Sequence, residues 1–395
     1  MPYTATRGAT MPQPLRGVRV IELAHWMAGP AAGGVMSDWG AEVIKVEPAG
    51  GEPMRHIWGA MGANPDAPNG AFIAANRGKK SVELDLASDA GRGSLHTLLE
   101  TADVLMTNLR PGALTRLGLS PDDVSTRHPR LVYCSLTAYG WGGPDQDRAG
   151  YDLAAFFGRT GIAHEITTQG TPPAAMLQGL GDTYTAITAV AGTLAALLER
   201  QATGRGQLVE ASLLRTGMWA LAGELGVEAL GGHPRPPKPR DQSSMPMYNS
   251  YRTKDDRWFY LVGVQAGRQL PKVLAAIGRP DLLDDERFNS ARDIAKNKAE
   301  FIAILDAAFG EHTLAEWEPV LDEHDVFWAP VQTPAEVVTD PQARANGAWI
   351  RIEGVDAESV DSPIRFDRVA RTTAARPPRS GEHTAHYLGQ PSRIA

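Results

Sequence analysis

Residues 18–47 read VRVIELAHWMAGPAAGGVMSDWGAEVIKVE, and the fold follows from them. VRVIELA (18–24) and AEVIKVE (41–47) are β-branched, apolar runs of strand length, whereas GPAAGGVMSDWG (29–40) between them suits a helix. Strand, helix and strand in succession make a βαβ unit, with parallel strands and a right-handed crossover.

The alternation continues on the C-terminal side. KSVELDL (80–86), DVLMTNL (103–109) and RLVYCSL (130–136) read as further buried strands. SDAGRGSLHTLLETA (88–102) and LSPDDVSTRHP (119–129) read as helices, with Ser88 and Ser120 as N-caps. The prediction is a Rossmann-like α/β domain with a mostly parallel sheet covered on both faces. Ligands of such sheets bind beyond the carboxyl ends of the strands, so the loops after Ala24, Glu47, Asn108 and Ser135 are the ones to inspect. GDTYTAITAVAGTLAALLERQATGRGQ (181–207) reads as one long helix closed by Gly204, and QLVEASLL (207–214) as a strand entering a helix. GGHPRPPKPRDQSSMP (231–246) is the clearest linker. Beyond it, YRTKDDRWFYLVGV (251–264) predicts a hairpin turning near Asp255 and Asp256, and three helical segments follow. The division expected is a large domain over 1–229, a small α+β domain over 230–335 and a C-terminal segment over 336–395 with the strand-like AWIRIE (348–353).

With 395 residues the chain is long enough for two cores. A net charge of −7 argues against a dedicated nucleic-acid binder. Cys134 is the single cysteine, so no intrachain disulfide can form, and it reads as a small buried residue. The ten histidines show no ligand spacing, so no metal site is expected. MPYTATRGATMPQP reads as a loose tail without a signal-peptide core, and the apolar stretch Ala186–Leu198 is too short to cross a bilayer. A cytoplasmic protein with no membrane partner is expected. After the first strand stand Gly29, Gly33 and Gly34 without G-x-G-x-x-G, which argues against a dinucleotide enzyme.

Four places could carry chemistry. NRGKKS (76–81) gathers Arg77, Lys79 and Lys80 before a strand, either a solvated basic loop or a seat for phosphates. Asn108, Arg110 and Arg116 follow another strand, and two basic clusters at strand ends suit a multiply phosphorylated nucleotide such as CoA. Asp182 opens the long helix, as an N-cap or as a catalytic carboxylate that keeps an oxygen free; Gly179 and Gly181 would let a bulky substrate approach it. Gly150-Tyr151-Asp152 opens a further helical stretch, where Asp152 could again be a cap and Phe156 and Phe157 read as core.

Eight segments in order now resemble the family III CoA-transferases. They are PLRGVRVIELAHWMAGP, GAEVIKVEP, NRGKKSVELDL, ADVLMTNLRPGALTRLGL, RLVYCSLTAYGWGGP, LGDTYTAITAVAGTLAALLERQATGRGQ, DPQARANGAW and GEHT, spanning about 14–388. The resemblance implies a large α/β domain to which the C-terminal segment returns, a smaller domain, and a homodimer whose chains are interlocked like rings. It implies CoA transfer from an acyl-CoA to a carboxylic acid, with CoA entering as part of the substrate and no permanently bound cofactor. It implies Asp182 as the catalytic carboxylate, forming an anhydride and then an aspartyl-CoA thioester. It implies CoA contacts at Trp26, Lys79, Asn108, Leu109 and Arg116, with Tyr151 and Asp152 near the reacting centre.

Two departures stand out. Pro48 occupies a position where many members carry an adenine-contacting arginine, and SSMPMYNSYRTKD replaces the glycine run of formyl-CoA transferase. The α-methylacyl-CoA racemases share the fold but pair the aspartate with a histidine, at a position held here by Tyr151. With an ordinary pKa near 10, tyrosine is a poor partner for that exchange at neutral pH, which favours transfer. An Asp182 of ordinary pKa, near 3.9, would be ionised at pH 7 without a general base.

Overall fold

The computed structural model describes residues 13–62, 64, 69–233, 238–369 and 371–389. The N-terminal tail before residue 13, the chain end from 390, and residues 234–237 of the linker lie outside the described residues.

All five strands expected in the first 140 residues form: β1 (Arg19–Leu23), β2 (Glu42–Glu47), β3 (Lys80–Glu83), β4 (Val104–Thr107) and β5 (Val132–Thr137). With β6 (Leu208–Ser212) they make one parallel sheet in the order β3-β2-β1-β4-β5-β6. The order reverses between β1 and β4, which opens the crevice where doubly wound sheets bind ligands. Alternate side chains explain the unbroken apolar runs. Val20, Val43, Val104, Met106 and Cys134 pack with Met36, Ala186, Ala189 and Val190 on one face, while Ile21, Ile44, Val82, Leu105 and Tyr133 pack with Leu95, Leu98, Leu99 and Leu114 on the other. Cys134 is fully buried, and burial raises its thiol to about 11, as befits a packing residue.

Local signals hold where they were expected. The side chains of Ser88 and Ser120 accept from the N–H groups of Gly91 and Asp123 and so cap the helices Asp89–Leu99 and Pro121–Arg127. The long helix runs Leu180–Thr203 and ends on Gly204 at φ 73°, a left-handed cap that glycine adopts without steric cost. The first unit comprises Met1–His164, Ala174–Pro234 and Arg344–Ala395. Its C-terminal part lies along β3: Glu83 N–H donates to Thr384 Oγ1 at 3.0 Å and Gly381 N–H to Ser81 Oγ at 2.9 Å.

The second unit comprises Glu165–Pro173 and Arg235–Ala343. Its hairpin pairs β7 (Tyr248–Arg252) with β8 (Trp258–Val262), and β9 (Trp328–Pro330) adds to the β8 edge. Asp256 in the turn has φ 62°, a conformation that aspartate tolerates better than most side chains. Tyr251, Phe259, Phe309 and Trp317 share its core with the helices Lys298–Phe309 and Leu314–Glu323. This unit reaches Ala343, beyond the boundary read near 335, because Arg257 in the hairpin pairs with Glu336 at 2.7 Å and so holds the helix Pro334–Thr339. Among the described residues no helix is long and apolar enough to cross a membrane.

Candidate active site

Strand register builds the crevice floor. Leu23 of β1 lies beside Thr107 of β4, so the residues that follow the two strands meet just past the sheet. There Asn108 grips the neighbouring loop at both polar ends: its Oδ1 accepts from His25 N–H at 3.0 Å and its Nδ2 donates to His25 C=O at 2.6 Å. Trp26 follows at φ 66°, and its N–H donates to Glu52 Oε2 at 2.7 Å. Leu109 turns away to pack with the core of the outer face. Asn108 thus clamps a neighbouring loop, and Leu109 anchors its own.

Beneath that loop lies a buried charge network, which the sequence reading did not identify. Lys45 Nζ pairs with Glu22 at 2.9 Å and Glu52 at 2.6 Å and donates to Ala24 C=O at 2.9 Å. Lys79 belongs to the same network. Its Nζ donates to Glu22 Oε2 at 2.5 Å, Pro30 C=O at 2.8 Å and Asn76 Oδ1 at 3.1 Å, using all three N–H donors of a fully buried ammonium. Desolvation, which outweighs the pull of Glu22, lowers its pKa to about 8. Arg77 is likewise buried, with Nε on Asp38 Oδ1 at 3.0 Å and Nη2 on Oδ2 at 2.5 Å. NRGKKS is therefore neither a solvated loop nor, at Arg77 and Lys79, a set of free cations for phosphates. The missed signal was Glu22 and Lys45 themselves, charged residues inside strands covered on both faces.

Arg116 differs. It is exposed at the end of the helix Pro111–Arg116 and has no carboxylate partner among the described residues. Arg110, also exposed, donates to Asp147 C=O at 3.2 Å. At Pro48 no arginine is present, but the Glu47 carboxylate that ends β2 is held bidentately by Arg55, both contacts at 2.7 Å. Arg55 and Ser81 hold Glu47 near pKa 2 against the opposing effect of burial.

The second wall carries the carboxylates. Tyr151 meets Trp26 edge to face, with ring centroids 5.9 Å apart. Asp152, next in the chain, is 4% exposed. Its Oδ1 accepts from Leu153 N–H at 2.7 Å, capping a π-helical stretch over Leu153–Gly158, and its Oδ2 accepts from Gly179 N–H at 2.6 Å. Gly179 is the cap position of the long helix, at φ 84°, so capping there falls to the glycine backbone and the distant Asp152, not to Asp182. Asp182 lies in the first helical turn, half-buried, and accepts no hydrogen bond among the described residues. Gly181 serves a different purpose from the one expected. A Cβ there would lie 2.6 Å from the Phe156 ring, so its missing side chain admits the protein's own aromatic core.

Asp182 is not an ordinary aspartate either. Burial, with the nearby charge of Asp152 added, pushes its pKa up to about 7, which corrects the expectation of full ionisation at neutral pH. The first-turn N–H groups of Gly181 and Asp182 have no intrahelical acceptor and are available to an oxygen that gains negative charge. Trp26, Asn108 and the Tyr151–Asp152 pair thus stand on three separate connecting segments, and Asp182 on the first turn of the long helix. Lys79 reaches this group only through the charge network, Leu109 only through the core, and Arg116 stands apart on the surface. Among the described residues no group of three His, Cys, Asp or Glu is placed to hold a metal.

The chain is 32% identical over 378 residues to (R)-2-hydroxy-4-methylpentanoate CoA-transferase of Clostridioides difficile, covering 95% of this chain and 94% of that protein. It is also 32% identical over 378 residues to cinnamoyl-CoA:phenyllactate CoA-transferase of Clostridium sporogenes, covering 94% and 92%. The crystal structure of Rv3272 from Mycobacterium tuberculosis superposes with a TM-score of 0.83 at 32% identity, covering 95% of this chain and 99% of that one. A CAIB/BAIF family protein from Brucella suis gives 0.83 at 30%, covering 95% and 98%. The family model of CoA-transferase family III matches residues 15–384, and the chain belongs to that family.

Proposed function

We propose that the protein moves CoA from an acyl-CoA donor to a carboxylic acid acceptor with Asp182 as the covalent nucleophile. The observation that carries this reading is the division of labour between two aspartates. Asp152 takes the capping N–H at the start of the long helix, which leaves the Asp182 carboxylate uncommitted beside two unpaired helical N–H groups. Ionised Asp182 attacks the thioester carbonyl, the C–S bond breaks, and an aspartyl–acyl anhydride and CoA thiolate result. The thiolate attacks the aspartyl carbonyl, giving an aspartyl-CoA thioester and releasing the donor acid as its carboxylate. The acceptor carboxylate then attacks that thioester, and the freed thiolate takes the acceptor acyl group and restores Asp182. Over the whole cycle one thioester is consumed and one is formed, with the activation kept in the anhydrides between, so the chemistry calls for no resident cofactor.

In this reading the large unit is a Rossmann-like CoA-binding domain. Arg116 meets CoA phosphates, Trp26 and Tyr151 line the reacting end, and Lys79, Asn108 and Leu109 hold the loops that bind it. The homodimer with interlocked chains and a cytoplasmic location are part of the same proposal. The test is covalent trapping. Incubation with acyl-CoA followed by hydroxylamine or borohydride should leave a modification that peptide mass spectrometry places on Asp182. The Asp182→Asn protein should show neither adduct nor transfer. Exchange of the substrate α-proton with deuterated solvent in the absence of adduct would instead identify a racemase.

A further inference from the structure

Three non-glycine residues among those described adopt positive φ: Trp26, Asp256 and Asp325. Aspartate tolerates that region, but a bulky aromatic residue there is strained, and such strain persists only where the surroundings enforce it. Around Trp26 they do. Asn108 holds the preceding residue by its N–H and C=O, Glu52 holds the Trp26 N–H, and Lys45 fixes Glu52 from below. These contacts hold the backbone from which the indole projects, and that indole stands edge to face against Tyr151, which is 63% exposed. Neither Trp26 Nε1 nor the Tyr151 hydroxyl has a hydrogen-bond partner among the described residues. Tyr151 adjoins Asp152, whose carboxylate spans to the start of the helix that carries Asp182. The two rings are thus linked through Asp152 to the start of the helix that carries Asp182, and the two carboxyl groups are close enough for the charge of Asp152 to act on Asp182.

We propose that the Trp26–Tyr151 pair is the acyl-selecting wall of the site, admitting neutral, apolar acyl groups and disfavouring those that carry a second carboxylate. This rests on Asp182 as the point of acyl transfer. Rings bury methylenes favourably, and their free N–H and O–H donors can meet a neutral hydroxyl, but they supply no cation to offset the full charge of a carboxylate, whose desolvation is strongly disfavoured. A terminal carboxylate on the acyl chain would also be repelled by Asp152, as Asp182 is.

The test compares pentanoyl-CoA with succinyl-CoA, two donors of similar length that differ in a terminal charge. With acetate as acceptor, wild-type kcat/KM should favour pentanoyl-CoA by at least about tenfold, equivalent to about 1.4 kcal/mol. Trp26→Gly removes the indole and suits the left-handed backbone, so it should melt no lower than wild type while losing most of that preference. Trp26→Phe should keep most of it. A smaller wild-type ratio, an undiminished ratio in Trp26→Gly, or a lower melting temperature for that variant overturns the proposal. The same ratio read as Kd by isothermal titration in Asp182→Asn requires no turnover. Failure of Asp182 as nucleophile would therefore appear as persistent turnover in that variant, separately from failure of the wall.

Discussion

Replacing Asp182 with asparagine should abolish transfer and, above neutral pH, stabilise the fold. The native structure raises this carboxyl from 3.8 to about 7, chiefly by burial. Below pH 3.8 the folded and unfolded chains both hold the proton, and the group contributes nothing to pH dependence. Between 3.8 and 7 the unfolded chain gives up its proton while the folded one retains it, so stability falls as pH rises and levels off above 7. A shift of about three pH units at about 1.4 kcal/mol each sets a ceiling of about 4 kcal/mol. Water reaching a half-buried carboxylate brings the expected gain down to about 1–2 kcal/mol. Urea denaturation of wild type and Asp182→Asn at pH 5, 6, 7 and 8 measures it. The variant's advantage should widen from pH 5 to 7 and then plateau. An advantage that stays constant with pH, or a variant less stable than wild type at pH 8, would refute the argument that burial disfavours the charge at this position.

The same shift should appear in kinetics: kcat/KM should fall on the acid side with an apparent pKa near 7, as the nucleophile is protonated. Asp152→Asn, which keeps an acceptor for Gly179 but removes a charge, should move that limb to lower pH, and a pH–rate profile with the limb unmoved would leave burial as its sole cause. Lys79→Ala should destabilise by about 3 kcal/mol because it leaves part of a buried carboxylate unpaired, and thermal denaturation checks this. Arg116→Ala should leave stability unchanged but weaken CoA binding by about 1.5–3 kcal/mol, a loss that shrinks with added salt in titration calorimetry. Asn108→Ala should release the His25–Trp26 loop, seen as a changed tryptophan emission spectrum and a raised KM for acyl-CoA.

What could be read in the chain was whatever depends on near neighbours. The five N-terminal strands, the caps at Ser88 and Ser120 and the stop at Gly204 arise from side chains acting within a few residues, so local pattern suffices to place them. Asp182 was legible as a candidate too, through its position after a glycine-rich turn and through family resemblance. Its two alternatives, cap or nucleophile, could not be separated there, because the group that does the capping is Asp152, 27 residues before the N–H it accepts. The fate of Lys79 turned on Glu22, 57 residues away, and the Trp26 loop on Asn108, 83 residues from the backbone it grips. Each of these depends on burial and on partners that only the packed sheet brings together. By itself the sequence determined which segments are strands and helices and which carboxylates were available. Tertiary structure decided which lysine is buried, which aspartate caps and which is raised toward neutral pKa, because desolvation and charge pairing act through space rather than along the chain.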